Sequence, residues 1–134
     1  MKNYLDELNT EQKKAVEHIN GPLMVIAGAG SGKTRVLTYR IVHLLNNNIS
    51  PFKILALTFT NKAAKEMKNR IEEIVGGSIA SSLWMGTFHS VFSRILRIES
   101  EKLNYPQNFT IYDSEDSKSP VSYTHLTLPT NREV

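Results

Sequence analysis

The residues with the clearest chemistry form a glycine-rich run at positions 27–35, which reads AGAGSGKTR. Its glycines let successive backbone N–H groups turn toward one anion, and a helix start directly behind them adds a favourable dipole. The Lys33 ammonium can neutralise the β- and γ-phosphates, and the Thr34 hydroxyl can ligate Mg²⁺. A flexible turn with an exposed lysine is the competing interpretation, but it explains neither the preceding apolar run nor the Lys-Thr pair. The run therefore predicts a nucleoside triphosphate site.

The predicted nucleotide contacts cover most of this run. We expect the phosphates to meet the backbone and side chains of Gly28, Ala29, Gly30, Ser31, Gly32, Lys33 and Thr34. Lys33 is the predicted catalytic residue, because its charge lies near the β- and γ-phosphates. Thr34 is the predicted metal ligand.

The elements that must position these residues alternate between strands and helices. Apolar runs predict strands over 23–27, 54–59 and 83–87. Helical patterns are predicted to begin at Asn9 or Thr10, to cover 34–45, to run from an N-cap at Asn61 to Gly76, and to cover 88–102. Such alternation is typical of βαβ units, so the predicted fold class is α/β, with a parallel sheet flanked by helices. Ligands bind such sheets beyond the carboxyl ends of the strands, where 27–34, 58–62 and 86–90 lie.

The helical periodicity also predicts which side chains face inward. The inward sets are Val36, Leu37, Ile41, Leu44 and Leu45 on one helix, and Val91, Phe92, Ile95, Leu96 and Ile98 on another. Residues 109–112 are expected to form a short strand, and the acidic residues at 113–116 are expected to begin a helix. Because the helix dipole stabilises acidic side chains at such a position, we do not interpret them as a cation site.

The composition narrows the class of protein. A chain of 134 residues with 40% hydrophobic and 22% charged residues corresponds to one globular domain or part of one. The absence of cysteine excludes a disulfide scaffold and a thiolate metal site, and no apolar run approaches the roughly 18 residues of a membrane span. The first residues also lack the apolar stretch of a signal peptide. A cytoplasmic location is expected, and the net charge of +3 permits an anionic partner.

The last residues differ from the rest of the sequence. Residues 121–130, which read VSYTHLTLPT, can be encoded by one reading frame of a transposon-end sequencing adaptor. We therefore interpret 119–134 as an adaptor-derived tail and 1–118 as the natural part of the chain. His125 and the hydroxyls around it are accordingly not interpreted as a site.

Four separated motifs, in this order, resemble the N-terminal part of UvrD/Rep-like superfamily 1 DNA helicases. Residues 8–12 (LNTEQ) are similar to the family's Q motif, and 27–35 to its phosphate loop, which commonly starts with Ala as it does here. Residues 57–64 (LTFTNKAA) resemble motif Ia, and 86–90 (GTFHS) resemble motif Ib. The resemblance covers 1–118 and implies a partial ATP-binding motor domain, with a P-loop NTPase (RecA-like) sheet that is truncated.

The resemblance implies roles for two residues beside the phosphate loop. Gln12 would read the adenine edge with its amide donor and acceptor, and Arg35 would stack its guanidinium on the adenine face. The residue types alone favour ordinary exposed helical positions for both side chains.

The resemblance also implies a DNA-binding set of five residues, Phe59, Asn61, Lys62, Thr87 and His89. Phe59 would stack on an unpaired base, although a core phenylalanine is equally compatible with the sequence. Asn61 and Lys62 would hold a phosphate, or form a simple N-cap beside a solvated lysine. Thr87 and His89 would contact the DNA backbone, and no proton transfer is assigned to the histidine.

By this resemblance the intact protein is an ATP-dependent 3′→5′ DNA helicase and translocase that acts on single-stranded DNA with ATP and Mg²⁺. No membrane partner is expected. Hydrolysis also needs acidic residues from a later strand, and no Asp-Glu pair closes an apolar strand in this sequence. We therefore expect this chain alone to lack useful ATPase turnover.

Two other functions fit a phosphate-binding loop. A small-molecule kinase would need a lid with arginines after the third strand, and Arg94 and Arg97 lie on the helix there. A non-catalytic nucleotide-binding module would bind ATP without releasing phosphate. Stimulation of ATP hydrolysis by single-stranded DNA would distinguish a helicase from both.

Overall fold

The computed structural model describes residues 3–111. The chain forms two compact units, residues 1–88 and residues 89–134. The predicted helix start at 113–116 and the predicted adaptor tail at 119–134 lie outside the described residues. Within the described part of the chain, no helix is long and apolar enough to cross a membrane.

The first unit begins with a 3₁₀ helix at Tyr4–Glu7 and a helix α1 at Thr10–Glu17. Asn9 is the N-cap of α1, and it forms a reciprocal capping box with Gln12. The Gln12 N–H donates to Asn9 Oδ1 at 2.8 Å, and the Asn9 N–H donates to Gln12 Oε1 at 3.0 Å. Two N–H groups that a helix start leaves unpaired are thus satisfied locally, which confirms the predicted helix start.

The predicted buried strand at 23–27 is wrong for this structure. Residues 22–28 carry no secondary structure, and the side chains of Met24 and Ile26 are 84% and 91% exposed. A strand needs a neighbour for its backbone N–H and C=O groups, and a buried strand needs one on each side. The paired strands in the described residues, 55–58 and 84–87, bond to each other and not to this segment.

Helix α2 spans Lys33–Asn46 and confirms the helix predicted at 34–45. Its buried side chains are Val36, Thr38, Ile41 and Val42. The prediction that Leu37 faces inward is wrong, because Leu37 is 39% exposed. The buried side of α2 extends to Thr38 and Val42, since α1 also packs against α2 and covers a second side of that helix. Arg40 joins the two helices by donating to the Ala15 carbonyl oxygen at 2.8 Å and to the carbonyl oxygen of His18.

The sheet of the first unit consists of two parallel strands, β1 at Leu55–Thr58 and β2 at Trp84–Thr87. Leu55 pairs with Trp84 and Thr58 pairs with Thr87, so both strands end at the same edge. The second and third predicted strands are therefore confirmed, with shortened ends. The core beside them comprises Ile41, Ile54, Ala56, Met67, Ile71, Ala80 and Leu83.

Between the strands lie α3 at Asn61–Val75 and a short α4 at Gly77–Ser81, which the sequence pattern did not predict. Thr60, and not Asn61, is the N-cap of α3, because the Ala63 N–H donates to Thr60 Oγ1 at 3.1 Å. Asn61 is instead the first residue of the helix. Gly76 ends α3 as predicted.

The described part of the second unit contains most of helix α5, Phe88–Glu99, followed by a 3₁₀ helix at Ser100–Leu103. The predicted helix at 88–102 is confirmed, with a tighter last turn. Phe92 and Ile98, predicted to face inward, are exposed.

Residues 109–111 do not form the predicted strand. Arg97 Nη1 donates to the carbonyl oxygens of Gln107 at 2.8 Å and Phe109 at 3.1 Å, and its guanidinium lies 4.9 Å from the centroid of the Phe109 ring. Phe109 is buried. The backbone in this segment is therefore satisfied by a side chain, and Phe109 contributes packing to the second unit.

Candidate functional site

The glycine-rich run forms a tight turn that leads directly into α2. Gly30 and Gly32 have φ values of +75° and +81°, and Gly32 is the N-cap of α2 without a side chain to bond the helix start. The first helical bond joins the Val36 N–H to the Gly32 carbonyl oxygen at 3.1 Å. The N–H groups of residues 33–35 precede it, so they have no acceptor within the helix. Such a helix start favours an anion.

An open cavity of about 470 Å³ lies over this turn. It is lined by Gln12, Gly30, Ser31, Gly32, Lys33, Thr34, Arg35 and Arg70. Three of these residues are cationic, and none of the lining residues in the described part of the chain is acidic. The structure thus brings together most of the predicted nucleotide-binding residues, whereas Gly28 and Ala29 do not line the cavity.

Arg70 lines the cavity although sequence reasoning did not select it. It lies on α3 and follows the last residue of the glycine-rich run by 35 positions. No local sequence motif identifies it as a cavity residue. Its side chain is 44% exposed and donates to Glu66 Oε1, one helical turn earlier, at 2.6 Å. Only the packing of α3 beside α2 brings this guanidinium to the cavity.

Gln12 connects α1 to the glycine-rich turn. Its Nε2 donates to the Ser31 carbonyl oxygen at 3.1 Å, while its Oε1 accepts from the Asn9 N–H. A Cβ on Gly32 would lie 2.8 Å from Gln12 Nε2, so the end of the Gln12 side chain would have to shift, and the φ of +81° at Gly32 itself favours glycine. A primary amide still has a second N–H and a second lone pair, which leaves Gln12 one donor and one acceptor for a ligand.

Side chains of the N-terminal 3₁₀ helix contact α2 at positions that do not line the cavity. Tyr39 donates to Glu7 Oε2 at 2.5 Å, and the Tyr4 hydroxyl lies 2.9 Å from His43 Nδ1. The hydrogen bond to Glu7 raises the pKa of the Tyr39 hydroxyl, and burial adds to this effect, whereas the positive charges of Arg35 and Arg70 oppose it.

The residues that follow β1 form an exposed corner. Phe59 is 93% exposed, and Asn61 and Lys62 are exposed at the start of α3. The Thr58 hydroxyl donates to the Thr60 carbonyl oxygen at 3.0 Å, while the Thr60 hydroxyl caps α3. These two bonds fix the backbone on both sides of Phe59, so its ring is presented to solvent by an ordered turn and not by a loose loop.

The two other residues of the predicted DNA-binding set differ in exposure. Thr87 is the last residue of β2 and is buried, so its side chain has little surface for a ligand. His89 is exposed on α5 in the second unit, and its carbonyl oxygen accepts from the Ser93 hydroxyl. The parallel register places Thr87 beside Thr58, at the edge of the sheet from which Phe59 continues.

The donor set near the cavity fits a metal bound mainly through a phosphate. No group of three or more His, Cys, Asp or Glu side chains that could hold a metal occurs among residues 3–111. The Thr34 hydroxyl, on the first turn of α2, is the cavity oxygen suited to a Mg²⁺ ion. Mg²⁺ commonly keeps several waters and binds through few protein ligands plus substrate phosphates, which matches this set.

Comparison with known proteins agrees with this geometry. The sequence matches the UvrD/REP helicase N-terminal domain family over residues 8–132. A protein of Staphylococcus aureus named ATP-dependent DNA helicase PcrA is 52% identical over 118 residues, which cover 87% of this chain and 16% of the relative. A protein of the same name from Staphylococcus epidermidis is 55% identical over 115 residues, which cover 85% of this chain and 16% of the relative. The chain thus spans about one sixth of these curated relatives.

The family match covers the glycine-rich turn, its cavity and both paired strands, and the two staphylococcal relatives retain more than half of the residues across the same region. This chain belongs to the UvrD/REP helicase N-terminal domain family.

Proposed function

We propose that this chain is the N-terminal ATP-binding part of an ATP-dependent DNA helicase that translocates 3′→5′ on single-stranded DNA in the cytoplasm. The observation that carries the proposal is the cationic cavity of about 470 Å³ that residues 30–35 line together with Gln12 and Arg70. Its free helix N–H groups and three cations suit a polyanion, and Gln12 supplies the donor and acceptor that an adenine edge needs. ATP with Mg²⁺ is the proposed ligand.

We further propose that residues 1–118 are part of a P-loop NTPase (RecA-like) motor domain and that 119–134 is an adaptor-derived tail. The parallel pairing of β1 with β2 and the helices around it support this fold.

The proposed DNA-binding surface is the exposed corner after β1. Phe59 offers almost its whole ring for stacking on a base, an interaction worth roughly 1–3 kcal/mol per base. Asn61 and Lys62 at the start of α3 can hold the adjacent phosphate through helix N–H groups and a positive charge. Thr87, at the end of β2, is proposed as a further DNA contact, and on the second unit His89 is proposed as a separate one.

Lys33 is the proposed catalytic residue, because it lines the cavity in which the β- and γ-phosphates would bind. Phosphoryl transfer to water also needs a carboxylate that positions the water, and the described cavity lining contains none. The chain alone is therefore expected to bind ATP but not to turn it over at a useful rate. Residues elsewhere in a longer protein would supply the missing groups.

The binding test titrates the chain with a fluorescent ATP analogue and Mg²⁺. Lys33→Ala is expected to weaken binding at least about thirtyfold, since it removes the cation placed against the phosphates. Lys53→Ala is the matched control, because Lys53 is exposed and does not line the cavity. Equal affinities for the two variants would contradict the proposed phosphate site.

The activity test needs the remainder of a helicase. We would replace the matching segment of the Staphylococcus aureus relative with residues 1–118 and measure phosphate release with and without single-stranded DNA. The helicase proposal expects stimulation by DNA that Lys33→Ala abolishes. ATP hydrolysis without DNA stimulation would favour a small-molecule kinase, and binding without phosphate release would favour a nucleotide-binding module. The engagement of Arg97 with two carbonyl oxygens and the Phe109 ring argues against its use in a kinase lid.

The DNA surface is tested by a pair of phenylalanines. Phe59→Ala in the same hybrid protein is expected to weaken single-stranded DNA binding about tenfold, as the loss of one stacked base predicts. Phe52→Ala is the control, because Phe52 is also exposed but lies before β1. Fluorescence anisotropy with a labelled oligonucleotide measures both, and equal affinities would exclude Phe59 from the DNA surface.

A further inference from the structure

We propose that Arg40 is a positioning residue for base recognition: it fixes the carboxyl end of α1 on α2 and thereby holds Gln12 where it can select adenine. This role rests on the proposed ATP site, in which Gln12 meets the adenine edge. Arg40 does not line the cavity, so its effect on the nucleotide must pass through α1.

Helix α1 depends on non-covalent contacts for its position. It comprises eight residues, Thr10–Glu17, and its one buried side chain is that of Val16. Residues 18–32, which connect α1 to α2, form neither helix nor strand. A single buried side chain leaves the tilt and rotation of a short helix weakly determined, so further contacts must fix them.

Arg40 supplies such a contact at the carboxyl end of α1. Its Nη1 donates to the Ala15 carbonyl oxygen at 2.8 Å and to the carbonyl oxygen of His18. The last carbonyls of a helix have no acceptor role within that helix, and a cation there also complements the negative end of the helix dipole. The Arg40 side chain is partly buried, and its planar fork restricts the direction of both bonds. Arg40 therefore fixes the carboxyl end of α1 against α2.

Gln12 makes the corresponding contact at the amino end of α1. Its Nε2 donates to the Ser31 carbonyl oxygen at 3.1 Å, in the turn that leads into α2. Gln12 and Ala15 belong to the same short helix, so a movement of its carboxyl end also displaces Gln12 from the turn. The two contacts together define the position of α1 relative to the nucleotide cavity.

The chemistry of the base makes selectivity the sensitive property. Adenine presents a donor at N6 beside an acceptor at N7, whereas guanine presents two acceptors, O6 and N7. The free donor and acceptor of the Gln12 amide match adenine and not guanine. Displacement of Gln12 is therefore expected to weaken ATP binding while the phosphate contacts, and with them GTP binding, persist.

The test titrates the chain, in the presence of Mg²⁺, with ATP and GTP analogues that carry the same fluorophore on the ribose. Gln12→Ala is expected to lower the ratio of ATP to GTP affinity about five- to twentyfold, as loss of the base hydrogen bonds predicts. Arg40→Ala is expected to lower the same ratio about three- to tenfold, with GTP affinity within about twofold of the parent chain. An equal loss of affinity for both nucleotides would indicate general destabilisation and would overturn the proposal.

Arg97→Ala is the matched control for the loss of an arginine. Arg97 also donates to two backbone carbonyl oxygens, but both acceptors belong to the second unit. Its affinity ratio is expected to equal that of the parent chain. Arg40→Lys is the milder variant, because it retains a positive charge and a donor near α1, and its ratio is expected between those of the parent and Arg40→Ala. Parental ratios in both Arg40 variants, with helix content verified by circular dichroism, would refute the positioning role.

A double-mutant cycle tests whether Arg40 acts through Gln12. In a Gln12→Ala chain, the proposal expects that Arg40→Ala lowers the affinity ratio no further. If the two losses multiply instead, Arg40 acts independently of Gln12 and the proposal is wrong.

Lys33→Ala distinguishes this role from the proposed ATP site. It is expected to weaken both analogues alike, since it removes a phosphate contact. If Lys33→Ala and Gln12→Ala behave as expected while Arg40→Ala retains the parental ratio, the ATP site stands and only the role of Arg40 is refuted. If neither Lys33→Ala nor Gln12→Ala changes binding, the ATP site fails and the role of Arg40 fails with it.

Discussion

Two mainly apolar segments of this chain, 23–26 and Leu55–Thr58, lie within predicted strands and have different structures. The second pairs in parallel with Trp84–Thr87 and places Ala56 in the core. The first pairs with neither strand and exposes between 42% and 91% of each side chain. An apolar run specifies an extended, potentially buried segment, but the partner that satisfies its backbone must come from elsewhere in the chain.

The glycine-rich turn after the unpaired segment keeps a defined geometry nonetheless. Positive φ at Gly30 and Gly32, the first turn of α2 and the Gln12 contact to Ser31 all act within or beside the turn. The turn itself is thus set mainly by local conformation, while the segment in front of it would need a distant strand partner to be paired. Substitutions in the two apolar segments and in the turn test this difference.

The largest expected effect compares a charge placed in each apolar segment. Ala56→Asp is expected to lower the free energy of unfolding by more than about 3 kcal/mol, because it buries an unpaired carboxylate in the core. Ile26→Asp is expected to change it by less than about 0.5 kcal/mol, because that side chain already faces solvent. Urea unfolding followed by circular dichroism measures both. Similar losses would show that residues 23–26 are buried in solution.

The next comparison places a methyl group at two glycines of the turn. Gly32→Ala is expected to cost about 1–3 kcal/mol of stability, because the residue has positive φ and the new Cβ would approach Gln12 Nε2 at 2.8 Å. Gly28→Ala meets no atom within 4 Å and is expected to be nearly neutral. Thermal unfolding of the two variants provides the measurement, and equal midpoints would argue against the described turn.

A smaller effect is expected at the start of α1. Asn9→Ala removes the acceptor of the Gln12 backbone N–H and is expected to cost about 1 kcal/mol of stability, while the backbone N–H of residue 9 can still donate to Gln12 Oε1. Asn3→Ala is the control, since Asn3 caps only the preceding 3₁₀ helix through Leu5. If Asn9→Ala lowers stability no more than Asn3→Ala does, the capping box contributes nothing measurable.

The smallest effect concerns the pH dependence of stability. The pKa of Tyr39 is raised above its ordinary value of 10.0, mainly by the hydrogen bond to Glu7, so the folded state binds this proton more tightly than the unfolded state. The resulting stabilisation is fully present below pH 10 and is lost as the pH rises through the raised pKa. Tyr39→Phe and Glu7→Gln should both flatten this loss, by under about 1 kcal/mol, in unfolding curves measured across the alkaline range. An unchanged alkaline slope in both variants would contradict the contact.

Sequence reasoning was most successful where neighbouring residues decide the structure. The helix start at Asn9 or Thr10, the glycine-rich turn and the strands β1 and β2 follow from short-range pattern. It failed on the cap of α3, where the Thr60 hydroxyl took the position expected for Asn61. Adjacent residues with similar capping ability differ by little, so the direction of the incoming strand decides between them.

Sequence reasoning was least successful where distant parts of the chain meet. The burial of Thr38 and the exposure of Leu37 depend on where α1 packs against α2. The hydrophobic periodicity of α2 alone cannot predict the position of α1. The role of Arg97 also depends on a tertiary contact. The chain after α5 turns back and places the carbonyl oxygens of Gln107 and Phe109 against the Arg97 guanidinium, so this arginine has a structural role.

By itself the sequence determined the phosphate-binding turn, because glycine conformations, helix capping and the lysine and threonine that follow are set within a few residues. The tertiary structure decided which apolar run found a strand partner, which face of α2 was covered and that Arg70 reached the cavity. Each of these outcomes depends on contacts between segments far apart in the chain, and such contacts leave no periodic or local signature in the sequence.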